Sequence, residues 1–296
     1  MARLSDFEGL AGLHVLRDGP FECTGKLSTP IDGLCVPLRS AKYAQEVNSN
    51  SNVAAVVTKP EVAELVDQSL ALAIAEDPDA AHAEIHAVLA ARHQDRLRAE
   101  ANEIDPSATI HPSAVIAEYG VKIGPRSWIG PNVSIAAGVK IANDCVLHSG
   151  VSLGVPGFNT GIIGGRQRIV PQVGGVQLEP FVELLSNVCV ARALFGGNTR
   201  LGEEVVADNL VYIAHDVQIG ARVQICALVN ILGRTIIGDG AYLGPSAVIK
   251  NGLNIGRGAK ISIGAVVTQD VPEGGVVSGN FAIPHDRFLH HIRSIR

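Results

Sequence analysis

The sequence predicts a mainly β protein, a hexapeptide-repeat parallel β-helix preceded by a small α/β domain and followed by a short C-terminal helix. Three observations carry this. Between Leu201 and Val267 an aliphatic residue or Ala returns every six positions, at Leu201, Ala207, Ile213, Ile219, Ile225, Ile231, Ile237, Leu243, Ile249, Ile255, Ile261 and Val267. A small or branched residue stands two positions earlier, as at Val205, Val211, Val217, Val223 and Val229, and Gly often stands one later, as at Gly202, Gly220, Gly238, Gly244 and Gly256. The composition, with 32 Gly in 296 residues and 4% aromatics, suits a narrow prism with tight corners. A period of six is neither the helical 3.6 nor strand alternation. Three hexads close a triangular coil of about eighteen residues. No coil buries its apolar edge alone, so coils stack and share one column of Ile, Leu and Val.

Residues 1 to about 75 lack the period. Leu34–Leu38 and Val53–Val57 read as strands, and Pro60 at a first helical position predicts a helix of about three turns. From Pro78 to about Asn102 helix formers dominate, with Asp77 as N-cap and Ile85, Val88 and Leu89 on one apolar face. The six-fold phase begins at Ile104, Ile110 and Ile116, slips by one near Gly120, and resumes at Ile123, Ile129, Ile135, Ile141, Leu147 and Leu153. It is lost in a Gly-rich segment between Gly154 and Gly175, returns at Leu178, Leu184 and Val190, and breaks again over Ala191–Arg200. The first segment is long enough to leave the solenoid, and a mobile surface loop is expected there. After Val267, QDVPEGG is expected to close the solenoid and FLHHIRSIR to form a basic helix capping the prism. The domains expected are 1–102 (nucleotide-binding-like, with the linker helix), 103–276 (β-helix) and 277–296 (helical tail).

A net charge of −5 with no basic stripe argues against a nucleic-acid partner. MARLSDFEGL has neither the positive nor the apolar region of a signal peptide, and no apolar run is long enough to span a membrane. Five cysteines (Cys23, Cys35, Cys145, Cys189, Cys226) without CxxC spacing read as reduced thiols of a cytoplasmic protein.

The main candidate for chemistry is His215, in Ile213-Ala214-His215-Asp216-Val217. Ile213 and Val217 point into the prism, so His215 projects from a corner, where a neutral imidazole can take a proton from an amine. Gly233 lies one coil later, and coils are about 4.8 Å apart. A peptide N–H without a side chain, set beside His215, can hold the oxyanion formed when an amine attacks a thioester. An exposed polar corner and a turn glycine are the structural alternatives. Asp208 or Asp216 could orient His215 or bind a sugar; the sequence leaves both open. His111 reads as a turn residue, His148 as isolated, and His290 and His291 as part of the terminal helix. No second His lies a multiple of eighteen from His215, so no metal site is expected. The segment around Phe158 lacks the GK[ST] ending of a phosphate loop; Phe158 and an open Gly157 backbone could line a groove for an acyl or pantetheine chain.

With these motifs the chain resembles the UDP-3-O-(3-hydroxyacyl)glucosamine N-acyltransferases of lipid A biosynthesis. The likeness rests on Lys42-Tyr43, Gly157-Phe158, Val170-Pro171-Gln172-Val173-Gly174, Asp208-Asn209, Ile213-Ala214-His215 and Ser278-Gly279. It implies a left-handed β-helix, a homotrimer, His215 as general base and Gly233 as oxyanion glycine. Tyr43 would stack on uracil and Lys42 would approach phosphate or ribose, with Gln172, Asp208, Asn209 and Asp216 as further substrate contacts. The sister O-acyltransferases share the IAHD run, Gln269-Asp270-Val271-Pro272 and Gly279-Asn280, but lack the N-terminal domain.

The chain departs from the family pattern in several places. Ser40-Ala41 replaces an Asn-Pro pair, Gly157-Phe158-Asn159-Thr160 replaces GFGY, Lys250-Asn251-Gly252-Leu253 stands where a second histidine is usual, and the C-terminal helices are short. The expected activity is N-acyl transfer to the amine of a UDP-linked glucosamine, with no bound cofactor. The cosubstrate would be an acyl carrier protein phosphopantetheine thioester or a coenzyme A thioester, and Arg287, Arg293 and Arg296 could meet an acidic carrier. The alternatives are an acetyl-CoA-dependent N-acetyltransferase on a nucleotide-linked amino sugar, a non-catalytic nucleotide-sugar or carrier-protein binder, and a zinc-dependent hexapeptide carbonic anhydrase.

Overall fold

The computed structural model describes the whole chain except residues Ser28, Pro30, Gly164, Asn280, Phe281, Ile283, Ile295 and Arg296 and the side chains of Phe288, His291 and Ile292. Asn280 and Arg296, singled out above, therefore lie outside the described residues.

The N-terminal segment forms a five-stranded sheet in the order His14–Arg17, Ala71–Ile74, Val53–Thr58, Leu34–Leu38, Cys23–Thr24. Only its first pair is antiparallel. The apolar runs are buried on both faces: Cys35, Ala55 and Val57 pack with Phe7, Phe21 and Ile85, while Leu34, Val36 and Val56 pack with Val47 and Val62. The three-turn helix expected from Pro60 is instead a six-residue 3-10 helix, Pro60–Leu65. It stops because Asp67 accepts from both the backbone and the hydroxyl of Ser69 (2.8 and 2.6 Å), a local turn that competes with helix.

The linker helix Pro78–Arg98 begins as expected, with Asp77 accepting from the N–H groups of Asp79 and Ala80 (3.0 and 3.1 Å). It ends four residues short of Asn102. That side chain instead accepts from Val121 N–H (2.9 Å) and donates to Ala117 O (2.7 Å), which seats the first coil.

From Glu103–Ile104 to Val276–Val277 short strands form three parallel sheets of a left-handed β-helix. Registers such as Ile213 on Ile231 and Ile231 on Ile249 confirm the eighteen-residue coil. The six-fold column is a single buried cluster from Val121 to Val271, in which each fully buried Ile, Leu or Val contributes about 1.5–3 kcal/mol of transfer free energy. Where no glycine stands at a corner, residues such as Asn132, Asp144 and Asp216 hold positive φ.

All departures from the period fall on one edge, where the sheet containing Val115–Ile116 passes to the sheet containing Lys122–Ile123. Leu153 pairs with Val190 and Val190 with Ile213, steps of 37 (190 minus 153) and 23 (213 minus 190) instead of eighteen. The first excess is not a loose loop. It contains the antiparallel hairpin Thr160–Ile163 with Arg166–Ile169, closed by Val170 N–H to Asn159 O (2.8 Å) and anchored where Val170 packs with Leu194 and Phe195. Buried Arg192 fastens it, donating to Gly154 O, Gln172 O and Ala137 O. The one-residue slip at Gly120 (φ +67°) lies under Leu97 of the linker helix, whose methyl would be 2.7 Å from a Cβ there. The terminal strand Val276–Val277 extends the solenoid beyond QDVPEGG by pairing with Lys260–Ile261. The helix His285–Ser294 follows, and its described side chains are exposed.

Candidate active site

His215 stands on the irregular edge, immediately after the strand Tyr212–Ile213. Its Nδ1 lies 2.7 Å from Asp216 Oδ2. A carboxylate only accepts, so Nδ1 carries the hydrogen and Nε2 is left with its lone pair. Asp216 is itself held: Oδ1 accepts from Leu194 N–H (3.0 Å) and its own N–H donates to the buried Thr199 hydroxyl (2.9 Å). Its φ of +61° is the positive value this solenoid holds at corners that lack glycine, and these bonds fix its carboxylate.

Gly233 sits one coil above, and a Cβ built there would lie 2.8 Å from both Cε1 and Nε2 of His215. The ladder bonds pass on either side of its N–H: Leu232 N–H donates to Ile249 O (3.0 Å) and Arg234 N–H to His215 O (3.0 Å). Since Gly233 does not have positive φ, Gly233→Ala strains no backbone and acts only by displacing the imidazole. The expected outcome is a fold with wild-type circular dichroism and acyl transfer reduced about a hundredfold.

A cavity of about 360 Å³ opens over His215 and Gly233, with Lys26, Phe158, Tyr212 and Asn251 among its walls. Asn251 continues the column of His215 and Gly233 a further coil up. Lys26 was not singled out by sequence reasoning, because nothing in Gly25-Lys26-Leu27 marks it; it arrives from the N-terminal sheet. Burial, followed by the repulsion of Arg234 and Arg39, lowers its pKa. Lys26 and Arg234 both line the cavity; Asp79 and Asp216 partly offset the repulsion at Lys26, and among the described residues no carboxylate forms an ion pair with either cation.

The other expected residues are dispersed. Gly157 is not open backbone: its N–H donates to Gln172 Oε1 (2.8 Å), its carbonyl accepts from Gln172 Nε2 (2.7 Å), and its Cα faces the imidazole edge. Gln172 is buried and reaches the site only through that peptide. Of the two aspartates left open by the sequence, Asp216 bonds His215, while Asp208 accepts from the backbone and side chain of Asn209 on a different edge (both 2.7 Å). Asn209 accepts there from Ser186 N–H (3.1 Å). Lys42 and Tyr43 form part of the 3-10 turn Ala41–Tyr43, with the Lys42 ammonium 5.4 Å from the Tyr43 ring centre, and neither lines the His215 cavity. His148 is not isolated but 2.9 Å from Glu183 and edge-on to Trp128. Arg287 and Arg293 are exposed on the terminal helix. Among the described residues no three His, Cys, Asp or Glu converge as a metal site, and no helix is long and apolar enough to cross a membrane.

The stacked eighteen-residue coils are those of a hexapeptide-repeat protein, and two family models match within them. The family "Bacterial transferase hexapeptide (six repeats)" matches residues 120–154, and "Hexapeptide repeat of succinyl-transferase" matches 234–269. The UDP-3-O-acylglucosamine N-acyltransferase of Delftia acidovorans (strain DSM 14801 / SPH-1) is 30% identical over 258 residues, 83% of this chain and 75% of that protein. The chain belongs to the UDP-3-O-acylglucosamine N-acyltransferase family. The proteins of that name from Caulobacter sp. (strain K31) and Bordetella pertussis are 39% and 33% identical over 51% and 52% of this chain. Those matches span less than half of the relatives, 45% and 43% of their lengths. Among solved structures, the UDP-N-acetylglucosamine acyltransferase of Francisella novicida has a TM-score of 0.46 at 22% identity, covering 64% of this chain and 73% of that one.

Proposed function

We propose that the chain is an N-acyltransferase that moves an acyl group from a thioester to the amine of a UDP-linked glucosamine. The observation that carries this reading is the basic Nε2 of His215, oriented by Asp216 and set against the Gly233 peptide in an open cavity. Nε2 takes a proton as the amine nitrogen attacks the thioester carbonyl and the C–N bond forms. The Gly233 N–H holds the oxyanion. Collapse breaks the C–S bond, and the imidazolium returns its proton to the departing thiolate, so protons and electrons balance within one turnover.

Phe158 and Tyr212 wall the acyl or pantetheine side, and Lys26 with Arg234 meets a substrate phosphate. Lys42 and Tyr43 receive uridine, with Asp208 and Asn209 as acceptor-sugar contacts. The assembly proposed is a cytoplasmic homotrimer divided at residues 102 and 276, with acyl carrier protein as donor. The second reading, acetyl-CoA as donor and a different nucleotide-linked amino sugar as acceptor, is favoured by Ser40-Ala41 before Lys42-Tyr43, a departure from the uridine-site pattern of the resemblance.

The test is thiol release with hydroxyacyl carrier protein and acetyl-CoA in parallel, each with UDP-amino-sugar acceptors. Release with the carrier protein is the expected result. Release with acetyl-CoA alone moves the protein to sugar N-acetylation, and none with either, from folded protein, defeats both readings.

A further inference from the structure

His86 stands on the linker helix, outside the His215 cavity and almost wholly buried. Its Nε2 is 2.6 Å from Pro171 O and its Nδ1 is 2.6 Å from the Thr24 hydroxyl. A carbonyl only accepts, so Nε2 carries the hydrogen and Nδ1 accepts from Thr24. The ring is thus locked in one tautomer between the N-terminal sheet and the solenoid insertion. Burial lowers its pKa, and that of its neighbour His82 to about 3, which keeps both rings neutral near pH 7.

Two arms run from this ring to His215. In the first, the residue after Pro171 is Gln172, which grips both sides of the Gly157 peptide, and Gly157 lies against the imidazole edge of His215. In the second, the His86 ring meets Phe195 edge-on (4.9 Å between centres), with His82 beside it (5.8 Å). The residue before Phe195 is Leu194, whose N–H holds Asp216, and Asp216 holds His215. One arm bounds the ring of His215 and the other sets the group that orients it. We propose that His86 is a positioning residue for His215, through which the seating of the N-terminal domain on the solenoid sets the geometry of the base. This rests on the reading of His215 as the base, but the main readout does not.

The experiment uses the full chain with [13Cε1]histidine, the His215 signal being the one lost in His215→Ala. His86→Phe keeps a flat ring against Phe195 and loses the donor to Pro171 O. His86→Gln can place an amide N–H where Nε2 was. At a temperature where each variant has the wild-type circular dichroism, His86→Phe is expected to shift the His215 signal. It should also lower kcat about ten- to hundredfold with KM changed less than about threefold. His86→Gln is expected to return kcat to within about threefold of wild type. Should His86→Phe fail to fold, Thr24→Val, which leaves Nδ1 without its donor, is expected to shift the same signal. An unmoved His215 signal in folded His86→Phe or Thr24→Val overturns the proposal, as does equal loss of turnover in the Phe and Gln variants with that signal unmoved. If the wild-type chain transfers no acyl group, the functional reading falls, while the His215 signal still decides whether His86 holds the ring.

Discussion

His215→Ala is expected to lower kcat/KM for acyl transfer by about a thousandfold while leaving the melting temperature within a few degrees of wild type. The loss is that of a general base, for which two to four orders of magnitude are typical. The stability stays because His215 sits at a corner, outside the column of Ile213, Ile231 and Ile249 that holds the coils together. Kinetics on protein matched by circular dichroism check this. Turnover within tenfold of wild type would remove His215 from the mechanism, and with it the role given to Asp216. Asp216→Asn should fail differently, because an amide that donates to Nδ1 favours the opposite tautomer and leaves Nε2 protonated.

The second large effect is acid destabilisation. The folded pKa of buried His82 is about 3, against about 6.5 unfolded, and His86 is lowered in the same direction. Below pH 6.5 the unfolded chain binds a proton at His82 that the folded chain does not, so stability is full above 6.5 and declines toward pH 3. Between those values the slope from His82 approaches about 1.4 kcal/mol per pH unit. At pH 5, still above the usual carboxylate range, His82 alone should remove about 2 kcal/mol, and His86 adds to it. Urea unfolding at pH 7.5 and 5.0 measures the difference. Equal midpoints would mean that these rings are not buried neutral, and a His82→Phe chain that folds should show a smaller difference.

The solenoid was legible because its determinant is local and repeated. Each hexad places an apolar residue on the column, so the solenoid strands between Ile104 and Val267 are visible without knowledge of any contact wherever the period holds. Gly233 was legible for the same reason, since eighteen residues along the chain is one step up the prism. What could not be read came from outside the repeat. Lys26 reaches the cavity from a sheet whose packing no period describes. Asp216 could be preferred to Asp208 only once the corner conformation of Asp216 was known, with Leu194 and Thr199 of the second break holding it. The hairpin hid in a stretch whose glycines suggested a loose loop. One further signal lies in the linker helix: His82 and His86, four residues apart, share its buried stripe with Ile85, and two histidines on an apolar stripe need partners. Their partners, Cys35 O, Thr24 and Pro171 O, lie far away in sequence.

The confinement of every irregularity to one edge has a consequence for how such a chain can vary in length. At the other two edges a deletion that is not a multiple of six would throw all later side chains out of phase. One of six, but not eighteen, would carry the His215 column onto a different face. At the irregular edge the coil above resumes in phase whatever has been added, as the hairpin and the second break already show, and the entropy of a longer excursion grows only slowly. Gain and loss of residues is thus tolerated chiefly along the edge that bears His215. Changes of length in this fold fall directly beside the chemistry, where they remodel the cavity walls and leave the scaffold unaltered.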